Sequence, residues 1–277
     1  MRLRKFVCAL AILIGFRTTI GAEVRRWAVC YSERERVQNF APYDLLVLDS
    51  DSHPSLTQLQ TGNKQLLAYI SIGEVEYQRE YFARTEPYRL EPNPYWAGSF
   101  LLDIRDARWT EEIIRRIAPR ALAAGFNGFF LDTVDSSLDL ELRDGKRYFG
   151  MTRAAVDLIR RLRIEFPGAV IALNRGYAIV PEVGRNVDYV LAESMHSTWD
   201  FDLKSYTRVD SDITKEQTLD LQKAMAANPA LRILTLDYAD PTDKNKLRQI
   251  YKFHRQNGFI PYVSTIELNR VIPEPGG

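Results

Sequence analysis

Eight short apolar runs recur along the chain, at Trp27–Tyr31, Leu45–Asp49, Leu66–Ser71, Gly128–Asp132, Val170–Asn174, Tyr189–Glu193, Ile233–Asp237 and Ile260–Ser264. Each has the length of one strand, and none alternates strictly with polar residues. A strand with one wet face must alternate. A strand buried on both faces need not, and that condition is met in a parallel sheet covered by helices. Helical patterns separate several of the runs. Thr110 is placed to cap a helix carrying Ile113, Ile114, Ile117 and Leu122 on one side, stopped by Gly125 and kinked by Pro119. Thr152 opens another that ends before Pro167 and Gly168, Thr214 with Gln217 fits a capping box, and Thr242 opens a last helix running to Gly258. Eight strands alternating with helices predict a single (β/α)8 TIM barrel. The alternative is an open doubly wound sheet, which would want a G-x-G-x-x-G or G-K-[ST] loop, and neither occurs.

The first residues lie outside that pattern. Arg2, Arg4 and Lys5 precede an apolar run from Phe6 to Phe16, and the small residues Gly21 and Ala22 follow. The run is shorter than the roughly 20 residues that span a bilayer, so residues 1–22 read as a secretory signal peptide. An uncleaved anchor is the alternative. The expected product is one domain over residues 23–277, secreted or periplasmic and free of the membrane after cleavage, and a monomer. Removing residues 1–22 takes away four basic residues and no acid, which leaves 33 Lys and Arg against 36 Asp and Glu, a net charge of −3. Without a basic excess, a nucleic-acid partner is not expected. Cys30 is then the lone thiol, so no internal disulfide assists the core, and some 250 residues suffice for a barrel to be stable without one.

In a barrel the carboxyl ends of the strands face the mouth, where catalysis occurs. The ends here supply Asp49 and Asp51, Ser71 and Glu74, Asp132 and Asp135, Asn174 and Arg175, Glu193, and Asp237 with Tyr238. A barrel built only for stability has no need to collect like charges at one rim. Carboxylates crowded in a cleft cannot all ionise easily, so at least one is expected to hold its proton near neutrality while another stays ionised. Glycoside hydrolysis needs such a pair. The stretch from Glu76 to Phe100 contains three prolines and no helical pattern, and reads as a long loop after the third strand that shapes the mouth. Its Tyr77, Tyr81, Tyr88, Tyr95 and Trp96, with Trp199, Phe201 and Tyr206 after the sixth strand, offer flat rings for sugar faces, although several must simply pack the loop.

Magnesium or calcium takes oxygen ligands, but the dispersed acids resemble no calcium-loop spacing, and three scattered histidines make no zinc site, so neither metal nor cofactor is expected. Asp103, Asp106 and Asp240 suit turns or caps. His254 reads as a surface or core residue and Cys30 as a small buried hydrophobe, whereas His196, close behind Glu193, is a weak site candidate. No G-x-S-x-G elbow supports serine chemistry.

The segments LLAYISIGEVE (66–76), LLDIRDARW (101–109), GFNGFFLDTVD (125–135), IALNRGY (171–177), VDYVLAES (187–194) and TLDYAD (235–240), in that order, resemble the endo-α-1,4-polygalactosaminidases, glycoside hydrolase family 114. The resemblance runs from Trp27 to Ser264. It implies a secreted barrel that cuts inside chains rich in α-1,4-linked galactosamine or N-acetylgalactosamine. It places the two essential acids on Asp132 and Glu193, which the strand ends had already singled out. It also places Glu74, Asp103, Asp135, Asn174, Asp237 and Tyr238 along the groove, to which the aromatic reading adds Trp199 as a substrate contact. The leading expectation is a retaining, cofactor-free glycosidase acting on an amino-sugar polysaccharide, with Asp132 as nucleophile and Glu193 as general acid/base, or the roles exchanged. The rival is a non-catalytic polysaccharide-binding barrel.

Overall fold

The structure, a computed structural model, describes residues 23–276; the expected signal segment, residues 1–22, lies outside the described residues. Eight strands form one sheet in chain order: β1 (Trp27–Cys30), β2 (Leu45–Asp49), β3 (Gln65–Ser71), β4 (Gly128–Asp132), β5 (Val170–Asn174), β6 (Tyr189–Glu193), β7 (Arg232–Tyr238) and β8 (Ile260–Ser264). All seven neighbouring pairs are parallel. The sheet curls into a nearly closed barrel, and the Trp27 indole donates to the Ile260 carbonyl at 2.8 Å where β1 meets β8. The predicted runs and the strands agree to within two residues at each end. Nearly every strand residue is buried, because helices cover one face and the opposite strands fill the other. Register makes the rim level: Ser71 lies opposite Asp132, and Glu193 opposite Leu236, two residues before the end of β7.

Helix starts differ from expectation. The helical stretch after β3 begins at Ala107, capped by the Asp106 carboxylate accepting from the Arg108 N–H, rather than at Thr110. It passes through a π turn at Ile113–Ile117 immediately before Pro119, then continues as Ala118–Ala124 to Gly125. The wide turn accommodates a proline that a regular α-helix would answer with a kink. The helix expected at Thr214 is Ser211–Ala227, capped by Asp210, and Thr214 instead donates to the Met195 carbonyl. The last helix is Lys244–Gln256, capped by Asp243. In each case a carboxylate, a better acceptor for the first N–H groups, takes the capping position.

Two insertions stand on the mouth. The stretch read as a loop after β3 is ordered as a small antiparallel sheet of Glu74–Glu76, Ser99–Leu102 and Arg89–Pro92, with a 3-10 segment at Phe82–Tyr88. Strands of three or four residues interrupted by prolines leave no alternation to read. Its seam with the barrel is Arg79, nearly buried, whose guanidinium holds Asp49 at 2.7 Å, Asp51 at 2.9 Å and Glu76 at 2.7 Å. Tyr81 and Tyr88 are buried against Trp109, as packing residues. The second insertion is a hairpin, Ser197–Asp200 with Ser205–Arg208, after β6.

Candidate active site

Three consecutive strands end the same way. Asp132, Asn174 and Glu193 are the last residues of β4, β5 and β6, and each is followed by a non-glycine residue in the left-handed region: Thr133 at φ 62°, Arg175 at φ 56° and Ser194 at φ 57°. A residue with a Cβ adopts that conformation only where its surroundings hold it. Here the Thr133 hydroxyl is bonded to Ser71 Oγ at 2.7 Å and receives the Gly73 N–H at 2.9 Å. Arg175 N–H donates to the Leu191 carbonyl and Ser194 N–H to the Leu236 carbonyl, each a bond to the next strand. The abrupt turn takes the backbone off the strand and leaves the preceding side chain at the rim.

Asn174 joins the two acids. Its Nδ2 donates to Asp132 Oδ1 at 2.7 Å and to Glu193 Oε2 at 2.9 Å. Those two oxygens therefore lie within about 5.6 Å of each other, the sum of the two bonds. Tyr238 donates to Glu193 Oε1 at 2.5 Å, and Tyr69 donates to Asp132. Burial raises the phenols of Tyr69 and Tyr238 well above the ordinary value, so both stay protonated and act as donors. Burial, and then the Glu193 charge, push the Asp132 carboxyl up to about 6, against the pull of donors from Asn174, the Thr133 backbone and Tyr69. This is the raised member that crowding predicts. Tyr69 escaped the reading of strand ends. It sits two residues before the end of β3, and period two puts it on the same face as Ser71; that rule would have found it.

The remaining predicted positions divide. Asp135, in the first turn of the helix Val134–Arg143, pairs with Arg175 Nε at 2.9 Å and receives the Gly176 N–H, and burial raises its carboxyl above the ordinary value. Asp103 lies on the turn after Ser99–Leu102, paired with Arg105 at 2.7 Å. Glu74 is buried and fully engaged: it accepts from Asn93, Ser99 and Ser136. Asn93 in turn receives the N–H groups of Tyr95 and Trp96, so Glu74 anchors the tip of the first insertion. Asp237 is fully buried; it binds His254 Nε2 at 2.5 Å and receives the His196 and Ser197 N–H groups at 2.7 Å each, so it anchors the second. Trp199 stands on that hairpin against Tyr206, with ring centroids 4.8 Å apart. The exposed rings of Trp96 and Phe201 meet edge to face at 5.7 Å, which joins the two insertions. Of the two places open to His254, surface or core, it takes the core, and Cys30 is buried with its thiol pushed up to about 11 by that burial. Among the described residues no group of three or more His, Cys, Asp or Glu is placed to hold a metal ion.

A sequence model described as glycoside-hydrolase family GH114 matches residues 18–276. An uncharacterised protein of Thermotoga maritima is 25% identical over 217 residues, covering 73% of this chain and 65% of that protein, so the chain spans about two thirds of its relative's length. The glycoside hydrolase domain of PelA from Pseudomonas aeruginosa superposes with a TM-score of 0.78 at 25% identity, over 90% of this chain and 100% of that one. Ega3 of Aspergillus fumigatus, in complex with galactosamine, shares the fold with a TM-score of 0.68 at 15% identity, over 90% of this chain and 94% of that one.

Proposed function

The chain belongs to glycoside hydrolase family GH114, and from that premise we propose that it is a secreted, endo-acting enzyme that cleaves α-1,4-linked galactosamine- or N-acetylgalactosamine-rich polysaccharide by a retaining, two-carboxylate mechanism. The observation that carries the mechanism is the pair of hydrogen bonds from Asn174 Nδ2, which keeps the Asp132 and Glu193 oxygens within about 5.6 Å. Retaining enzymes hold their carboxyls about 5–5.5 Å apart, whereas inverting ones leave about 6.5–9.5 Å for a water. Asp132 is the nucleophile. Its carboxyl, raised to about 6 by burial and the Glu193 charge, is ionised above that pH, and donors from Asn174, the Thr133 backbone and Tyr69 favour the charged form that attack requires. Glu193 donates its proton to the departing glycosidic oxygen as the Asp132 carboxylate closes on the anomeric carbon. It then takes a proton from the water that releases the glycosyl ester. A protonated sugar amine bound near the pair stabilises the charged Asp132 carboxylate, which suits a polymer with free amines.

The test is to incubate the protein with partly deacetylated α-1,4-galactosamine polymer and read released oligosaccharides by mass. Asp132→Asn and Glu193→Gln should each lower release by at least about 100-fold while leaving polymer pull-down intact. With Asp132 as nucleophile, kcat/KM rises with pH through about 6, where its carboxyl ionises. Asn174→Ala removes a donor to the ionised form, so this limb should move to higher pH. A profile that falls above about 6 would exchange the roles of the two acids. Wild-type protein that binds polymer and releases nothing would overturn the glycosidase reading for this substrate.

A further inference from the structure

Tyr31 follows directly on β1, and its backbone is fixed by the loop after β8, where the Leu268 carbonyl accepts its N–H at 2.7 Å. Leu268 is a non-glycine residue in the left-handed region, at φ 48°, as are the residues that follow Asp132, Asn174 and Glu193. The Tyr31 ring stands edge-on to Tyr69, the phenol that donates to Asp132, with centroids 5.1 Å apart. Eight strands in chain order put β1 across the barrel from β5. Asn174 therefore holds the two acids from one wall, and Tyr31 approaches them from the opposite one. Its phenol lies well above the ordinary value, first through burial and then through nearby charges, of which those of Asp132 and Glu193 are the largest. It is thus a neutral hydroxyl beside the catalytic pair. Neighbouring polar side chains are taken: Tyr69 by Asp132, Tyr238 by Glu193, Asn174 Nδ2 by both, and Arg175 by Asp135. Tyr31 differs, because among the described residues its hydroxyl has no hydrogen-bond partner, and it is not closed off from solvent. A phenol held at both backbone and ring loses little freedom when a ligand takes its hydroxyl.

On the glycosidase reading, on which this inference rests, we propose that Tyr31 is a substrate-contacting residue whose hydroxyl bonds the amino sugar that Asp132 attacks. A sugar lying against both acids has the Asn174 wall behind them and Tyr31 in front. A phenol both donates and accepts, so one hydroxyl serves a sugar hydroxyl, an ammonium that donates or an acetamide carbonyl that accepts. Tyr31 thereby suits a polymer rich in either galactosamine or N-acetylgalactosamine. Its role is separate from that of Tyr69 and Tyr238, which donate to the acids themselves.

The test is Tyr31→Phe, which deletes the hydroxyl and keeps the ring against Tyr69. No bond within the protein is lost, so the variant should melt with the wild type. The limb of kcat/KM through about pH 6 should stay in place, because no donor to Asp132 has gone. On partly deacetylated α-1,4-galactosamine polymer, kcat/KM should fall at least about threefold. Tyr69→Phe is the control: it removes a donor to the ionised Asp132 and should move that limb to higher pH. Equilibrium binding is read by titration calorimetry with a partly deacetylated galactosamine oligosaccharide, on Glu193→Gln protein so that the ligand survives. Adding Tyr31→Phe to that protein should weaken binding about three- to tenfold. No binding, or equal affinity with equal kcat/KM, would overturn the proposal. So would a lowered melting temperature or a displaced limb in Tyr31→Phe, either of which assigns the phenol to holding the acids. Wild-type protein that releases nothing overturns the glycosidase reading instead, and the binding comparison then decides the Tyr31 contact by itself.

Discussion

Asp132 stores electrostatic cost that a single substitution can release. Its carboxyl is pushed up to about 6 from an ordinary 3.8, so ionising it costs more in the folded protein than in the unfolded chain. The contribution to stability is complete below pH 3.8 and is lost as pH rises through about 6. Asp132→Asn should therefore melt higher than wild type at neutral pH, by about 2–4 °C for each kcal/mol that burial and the Glu193 charge add to the cost of ionising Asp132. The two curves should converge as the pH approaches the ordinary carboxylate value. Thermal melts across that range decide it, and a gain that persists in acid would locate the effect in packing rather than charge. Catalytic groups whose removal stabilises the fold are held for function. Glu74 and Asp237 differ from Asp132. They are acids at the same rim, yet hydrogen-bond donors or a histidine fill their oxygens, and their removal would leave buried donors without partners.

Among the elements, the junction of β3 with β4 is the tightest near the site. A Cβ on Gly73 would lie 2.1 Å from the Thr133 carbonyl oxygen and 2.9 Å from Ser137 Oγ. Gly73→Ala must therefore displace Thr133, and with it the turn that presents Asp132. We expect a loss of about 1–3 kcal/mol in chemical denaturation, together with a fall in kcat larger than the change in KM. Full activity in that variant would show that the left-handed turn after β4 does not position Asp132. The strands themselves were legible because burial on both faces removes the alternation that a half-wet strand must show. Helix starts were less so: Asp106, Asp210 and Asp243 cap helices where threonines had been favoured, since a capping pattern in sequence does not rank rival acceptors. The insertion after β3 was legible in place but not in form. Reading strand ends brought Asp132, Asn174, Glu193 and Tyr238 into one hydrogen-bonded group. The same reading also collected Glu74 and Asp237, because a sequence shows which side chains reach the rim and not which neighbours claim their lone pairs.

Across the whole molecule, acids and bases are nearly balanced, with 36 and 37 respectively, and internal pairs absorb much of the acidic rim. Arg79 takes Asp49, Asp51 and Glu76, and Arg175 takes Asp135. The field that a cationic polymer meets is therefore concentrated at Asp132 and Glu193. Raising salt from about 0.02 to about 0.5 M should increase KM for a partly deacetylated polymer severalfold, and leave a fully acetylated one nearly unchanged. Equal responses in a kinetic comparison would assign recognition to shape alone. The two insertions carry a longer consequence. Trp96 and Phe201 touch at the tips of segments whose bases are fastened by Glu74 and Asp237, well inside the protein. Glu74 and Asp237 are buried with their oxygens taken by these fastenings, whereas the rings of Trp96 and Phe201 are exposed. Variation can therefore reach the tips without disturbing either the reaction or the fold. A lineage that retains the two fastenings can try new tip sequences at little risk and acquire new polymers with its chemistry unchanged, and a designer can graft tips between relatives on the same terms.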